Sequence, residues 1–240
     1  MKILLKNCKL IEGLKDILID DDKIVEVIPC SQADFDQTID IKGNLVIPGV
    51  IDPHVHVRDL QQAYKEDWKT ASMAALAGGV TTIFDMPNTI PATINLENLN
   101  IKREAAKKAS VNYKFHIGAT NFNLKNIEEI LGEEPSDIAG IKVFLAGSSS
   151  NETVTNEDVL KQIFMIAKKY DKVVVVHTEL QEYIDIWKQR LPYDSVLKHN
   201  AIRNRQCAIK GTELILKLSE EIGNKIYIAH VSTAEEIEMI

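Results

Sequence analysis

The chain is 240 residues long, with 45% hydrophobic and 26% charged residues and a formal net charge of -7, which suits one large globular domain or two small ones. The negative balance excludes a broad nucleic-acid-binding face, which needs clustered positive charge, and no apolar run approaches the ~20 residues that span a bilayer. Cys8, Cys30 and Cys207 are far apart and odd in number, so neither a disulfide framework nor a zinc ribbon is expected, and a reducing cytoplasm is.

Met1 to Leu10 is apolar but broken by Lys2, Lys6 and Lys9, with no small-residue cleavage site after it. It reads as a strand rather than a signal peptide. Lys2–Leu10, Lys15–Asp20, Lys23–Val27 and Ile39–Ile47 are predicted strands, separated by turn residues at Glu12-Gly13 and Asp20-Asp21-Asp22. Residues 1–48 are therefore expected to form part of a small β-sandwich.

From residue 49 the rhythm changes. Strand-like runs Val50–Val57, Thr81–Met86, Lys114–Gly118, Gly140–Leu145, Val173–His177 and Lys225–Val231 alternate with helical segments. Those segments lie within Trp68–Ala77, Leu96–Lys108, Leu124–Leu131 and Asn156–Tyr170, and in the stretch ending at Glu221. Such alternation predicts βαβ units and a parallel sheet. Val173 to Val176 is apolar at consecutive positions, as a strand covered on both faces should be. An open doubly wound sheet and a β/α barrel both fit this order. The barrel is favoured because Asp52-Pro53-His54 stands where a Gly-rich phosphate loop would be, and because polar residues end several strands. The expected fold is α/β, with residues 49–240 forming a TIM-like barrel of about six units that stops two short of eight.

His54 and His56 are two apart, so in a strand they face one space, a workable geometry for two imidazoles on one metal. Two incidental histidines are the bland alternative. Asp52, His54, His56 and Arg58 at alternate positions would be costly inside a barrel unless paired or bound to metal. His177 and His230 each end an apolar run. Each could be a satisfied core histidine, yet both fall at the same end of their strands. His116, in mid-run, and His199, in a polar connection, are set aside as ligands. Lys142 lies in the apolar run Gly140–Leu145, where it must snorkel, shift its pKa or be modified. A neutral amine there could take up carbon dioxide as a carbamate whose oxygens bridge two cations.

Taken together, His54-Val55-His56-Val57-Arg58, Tyr64-Lys65-Glu66-Asp67, Ala77 to Thr82, Asp85-Met86-Pro87-Asn88-Thr89, Gly140 to Phe144 and Ala229 to Thr233 resemble the amidohydrolase superfamily. Within it they are most similar to the dihydroorotases. The resemblance covers nearly the whole chain. It implies metal ligation by His54, His56, carboxylated Lys142, His177 and His230, with two zinc ions per complete subunit. It also implies that Arg58 and Asn88 hold a substrate carboxylate, although Asn88 could be a turn residue after proline. Asp85 reads as a structural hydrogen-bonding partner. The implied activity is reversible hydrolysis of L-dihydroorotate to N-carbamoyl-L-aspartate in pyrimidine biosynthesis, with a small-molecule substrate, no nucleic acid or membrane partner, and room for a homo-oligomer.

Two departures stand out. Asp59-Leu60-Gln61-Gln62 follows Arg58 where relatives carry an acidic residue and Pro-Gly. No residue matches the catalytic aspartate expected on the eighth strand, beyond Ile240, so the 240 residues alone are expected to be inactive. A hydantoinase or dihydropyrimidinase, an allantoinase, and a non-catalytic dihydroorotase-like structural subunit remain the competing expectations.

Overall fold

The computed structural model describes residues 1–29, 35–147, 152–192 and 194–240. Cys8 and Cys207 are buried and free, while Cys30 lies outside the described residues. The chain divides into two compact units, Met1–Gly49 and Val50–Ile240. Among the described residues no helix is long and apolar enough to cross a membrane.

In the first unit β1 (Lys2–Leu10), β2 (Gly13–Asp20), β3 (Lys23–Ile28) and β4 (Gln37–Asp40) form a sheet in the order β3-β2-β1-β4. The first three strands are antiparallel neighbours joined by two-residue turns, and β4 lies parallel to β1. Asp21 accepts the left-handed conformation that the second turn needs, at φ 53°. Leu4, Cys8 and Ile17 form the unit's buried side. The predicted strand Ile39–Ile47 is much shorter than expected. The Asp40 carboxylate accepts from Asn7 Nδ2 and Lys42 N, both at 2.8 Å, and Lys42 and Gly43 then turn the chain at φ 57° and 74°. Pairing resumes only as a single bridge between Lys9 and Leu45.

The second unit alternates strands with helical connections, the last of which holds three α-helices. Its elements are β5 (Val50–Val55), α1 (Trp68–Ala77), β6 (Val80–Asp85), α2 (Leu96–Ala106), β7 (Asn112–Gly118), α3 (Leu124–Gly132) and β8 (Ile138–Phe144). They continue as α4 (Glu157–Lys169), β9 (Val173–His177), α5 (Gln181–Arg190), α6 (His199–Ile202), α7 (Arg205–Ile222), β10 (Ile226–Ile228) and α8 (Ala234–Met239). Asp67, Asn95, Asn156 and Thr233 accept the first free amides of α1, α2, α4 and α8, and Gly223 ends α7 in the left-handed region. Phe115, Ile141, Phe164, Val174 and Ile215 are among the residues of the core packed between strands and helices.

All six strands are parallel, and β5 to β10 lie in chain order without reversal. A doubly wound sheet reverses its order at a switch point, so that alternative is excluded. The sheet is also strongly curled. Six strands laid flat would put the outer two roughly 24 Å apart. Instead the ring of His54, on β5, is 5.5 Å from that of His230, just past β10. Curling brings the C-terminal strand ends together.

Close strand approach depends on Gly140. It stands opposite Val173, and an added Cβ would lie 2.5 Å from the Val173 carbonyl oxygen and 2.8 Å from its Cγ1. A backbone oxygen cannot rotate away. Gly140→Ala is expected to cost ~1–3 kcal/mol, read as a lower urea midpoint at constant m-value. An unchanged midpoint would refute this packing.

Candidate functional site

His54, Lys142 and His177 lie in the C-terminal halves of β5, β8 and β9, and His56, Arg58, Asn88 and His230 lie just beyond strand ends. The ring centroids of His54 and His56 are 5.3 Å apart, those of His54 and His230 5.5 Å, and those of His177 and His230 4.8 Å. Four imidazoles from three strand ends thus form one contiguous run. Lys142, on β8, is fully buried, its Nζ lacks a hydrogen-bond partner, and it lies over the Phe144 ring at 4.9 Å. Burial pulls the Lys142 ammonium down to about 7. Its charge acts on His54, His56, His116 and His230. His54 is lowered to about 3, first by burial and then by Lys142. Burial likewise lowers His230 to about 4, with His177 and Lys142 adding to the effect.

The β5 end is shorter than the predicted Val50–Val57. Pro53 has no amide hydrogen, and the ladder to β6 shifts between Asp52 and Val55. Val57 N then donates to the Asp85 carboxylate at 2.9 Å instead of to a strand. Arg58, Asp59 and Leu60 follow in left-handed backbone, at φ 70°, 40° and 51°. Such a run is costly and must be held from outside. Buried Asp59 does this, accepting from Leu60 N at 2.6 Å, Trp68 N at 3.1 Å and Lys108 Nζ at 3.1 Å. The turn after Arg58 is thus built on the Asp59 carboxylate.

Hydrogen bonds fix the ring orientations. Asn88 Oδ1 only accepts, so at 2.7 Å it places the proton of His56 on Nδ1 and leaves the Nε2 lone pair for another partner. Arg58 Nη1 donates to the Asn88 carbonyl at 3.2 Å, which brings the two predicted carboxylate-binding residues together. His177 Nε2 lies 2.8 Å from the Glu179 carboxylate, and its Nδ1 lies 3.2 Å from His230 Nε2. Glu179 in turn forms a close ion pair with Arg203. Burial alone would raise the Glu179 carboxyl, but the His177 hydrogen bond and the Arg203 charge outweigh it and hold the pKa below the usual value. A cavity of about 520 Å³ opens beside His177 and His230, lined also by Glu179, Asn200, Arg203 and Ser232.

The two histidines set aside border this run. His116 is buried with Nε2 donating to the Pro53 carbonyl at 3.1 Å. His199 begins α6 and lines a neighbouring cavity with Gly147 and His177. Sequence reading missed Glu179, Arg203 and Lys102. Only Glu179 carried a signal, two residues after His177.

As they stand, no three His, Cys, Asp or Glu side chains among the described residues are close enough to hold a metal ion. A lysine converted to a carbamate is outside those donor types, and two observations fit it. The Lys142 Nζ is orphaned beside imidazoles. The 3.2 Å between His177 Nδ1 and His230 Nε2 is close to the ~3.3 Å that separates two nitrogens held tetrahedrally by one zinc.

Asp85, which takes the Val57 amide, is itself paired with Lys102. Their side chains, 0% and 1% exposed, pair at 2.6 Å, and Lys102 also donates to the Met86 carbonyl at 2.8 Å. Lys102→Met would leave Asp85 buried without a counter-ion and is expected to cost ~3–5 kcal/mol, with Asp85→Leu in the same chain recovering part of it. Denaturant titration of the singles and the double checks this. Simple additivity would mean that the pair is not coupled.

Residues 45–236 match the amidohydrolase family. The chain is 30% identical over 248 residues to a dihydroorotase of Methanosphaera stadtmanae, covering 99% of this chain and 55% of that protein. It is 33% identical over 215 residues to the Methanosarcina mazei dihydroorotase, covering 85% and 44%. The structure of L-hydantoinase from Arthrobacter aurescens superposes with a TM-score of 0.92 at 26% identity, over 99% of this chain and 55% of that one. The curled parallel half-barrel is thus similar to that of hydantoinases, and the chain spans about half the length of the relatives it matches. With the family match extending from Leu45 to Glu236, across the imidazole run and Lys142, this chain belongs to the amidohydrolase family.

Proposed function

We propose that these residues carry the metal centre and the carboxylate-binding edge of a dihydroorotase, which interconverts L-dihydroorotate and N-carbamoyl-L-aspartate. The observation that carries this reading is the fully buried Lys142 amine, without a hydrogen-bond partner, beside four converging imidazoles. His54, His56, His177 and His230 would hold two zinc ions bridged by Lys142 as its carbamate. In forming it, the amine nitrogen bonds to the carbon of carbon dioxide and releases one proton. Two bound zinc ions would supply an activated water and polarise the ring amide carbonyl. The Arg58 guanidinium matches a carboxylate in two bonds, and the Asn88 amide nitrogen adds a third. Asn88 also keeps the His56 proton on Nδ1, so the same residue orients a ligand and reads the substrate. The first unit belongs, in this reading, to a small β-sandwich, and the whole protein is a cytoplasmic enzyme with a small-molecule substrate.

A hydantoinase is the second reading, supported by the superposition on L-hydantoinase. It would use the same centre on a ring without the carboxylate, and the place of Arg58 beside Asn88 weighs against it.

Metal analysis of the protein should find up to two zinc ions per chain, with at least one lost from the His54→Ala, His56→Ala double variant. Unchanged zinc sinks the ligand assignment, and two ions retained by Lys142→Ala would refute the carbamate bridge. Substrate choice is tested separately, on the complete subunit. Arg58→Gln removes a charged hydrogen bond worth ~2–5 kcal/mol, so kcat/KM for dihydroorotate should fall at least about tenfold. The loss for dihydrouracil, which lacks the carboxylate, should be much smaller. Equal losses would give Arg58 a structural role and favour the hydantoinase.

A further inference from the structure

His177 and His230 stand at the ends of their strands, where the sheet gives way to loops. His177 is the last residue of β9, and His230 lies two residues past β10 in left-handed backbone, at φ 42°. The groups that fix both come from α7 and the residues leading into it. Arg203 pairs with Glu179 through one guanidinium nitrogen and donates to the Gly147 carbonyl through the other. Leu180 N donates to the Cys207 carbonyl at 3.0 Å. Gly211 packs directly on the backbone between His177 and Glu179, so closely that an added Cβ would lie 1.4 Å from the Thr178 carbonyl oxygen. The next residue, Thr212, donates to Glu236 Oε1 at 2.9 Å. Glu236 Oε2 accepts from Ser232 N at 3.2 Å and Thr233 N at 3.1 Å, which anchors the segment after His230.

One helix therefore brackets both imidazoles, and Glu179 stands between the bracket and the ring. A carboxylate cannot donate, so at 2.8 Å it requires the hydrogen of neutral His177 to be on Nε2. That leaves the Nδ1 lone pair aimed at His230 Nε2, 3.2 Å away.

We propose that Glu179, braced by Arg203, is a positioning residue that sets the tautomer and ring orientation of His177, so that Nδ1 of His177 and Nε2 of His230 form the seat of one metal ion. The inference rests on the metal-centre reading above and extends it to one specific half of the centre. A purely structural salt bridge between strand-end loops would have a different signature. It would weaken both metal sites together with the fold.

The test is zinc affinity by chelator competition, with melting temperature read in parallel, on the wild type, Glu179→Leu, Glu179→Gln and His177→Ala. Outer partners of metal-bound histidines typically contribute about 10–100-fold in affinity. Glu179→Leu should weaken one zinc by that factor and leave the other unchanged. Glu179→Gln keeps an acceptor oxygen for the Nε2 hydrogen and should lie closer to wild type, which a loss of charge pairing alone would not produce. If Glu179→Leu binds both ions as tightly as wild type while His177→Ala loses one, the centre stands and the positioning role is overturned. Equal weakening of both sites alongside a lower melting temperature overturns it as well. If His177→Ala keeps both ions, the metal-centre reading itself fails.

Discussion

A primary amine buried without solvent or a hydrogen-bond partner is expensive, and Lys142 is such an amine. Snorkelling, the usual escape, is closed because β8 lies in the middle of the sheet, with β7 on one side and β9 on the other. Nor does a carboxylate compensate it among the described residues, since burial is the one cause that shifts its pKa. The remaining ways to lower the cost are to lose the proton, which burial already favours, or to change the nitrogen's chemistry. Burial first, with the charge of the protonated amine adding to it, lowers the pKa of His54 and of His230, and neutral imidazoles are the form that ligates metal. One buried setting thus prepares the amine and these imidazoles together.

That preparation works only because the sheet curls and its far edges meet. Around the rim, each half of the imidazole run is braced differently. On the β5–β6 side a wholly buried ion pair and the Asp59 carboxylate hold a stretch of left-handed backbone in place. On the β9–β10 side the bracing is a helix that touches backbone directly through a glycine, together with the Arg203–Glu179 pair and the hydrogen bonds of Glu236. The first brace is electrostatic. The second joins a steric contact to charged and polar ones, on the side where a cavity opens.

Much of this was legible from residue order, for reasons that can be named. The run Val173 to Val176 is visible because a strand covered on both faces leaves no polar position, and β9 is Val173–His177 as expected. A histidine or lysine stands out in such a run because it is the wrong polarity for its place. Strand ends were less legible. Apolar alternation continues through Val57, but the Asp85 carboxylate takes the Val57 amide out of the ladder, and nothing local announces that. Predicted Lys225–Val231 likewise shrinks to Ile226–Ile228, because His230 adopts left-handed backbone. Lys102 reads as an ordinary solvated lysine of a polar helix, yet its side chain is almost wholly buried on Asp85. Arg203 could not be found at all. Its partner Glu179 lies 24 residues away, and only the fold brings them together.

Asn88 is where the two functions of the site join. Its side-chain oxygen orients His56, while its carbonyl receives the Arg58 guanidinium. In the proposed reading, the group that recognises the ring's carboxylate and the group that sets a metal ligand's tautomer therefore share one residue, three positions past the end of β6. Asn88 Oδ1 is the direct hydrogen-bond partner of the His56 ring, whereas Arg58 acts on that ring through its charge and meets Asn88 at the backbone carbonyl. In that reading a change at Arg58 alters carboxylate recognition and leaves the hydrogen bond that orients His56 in place, while a change at Asn88 alters both at once.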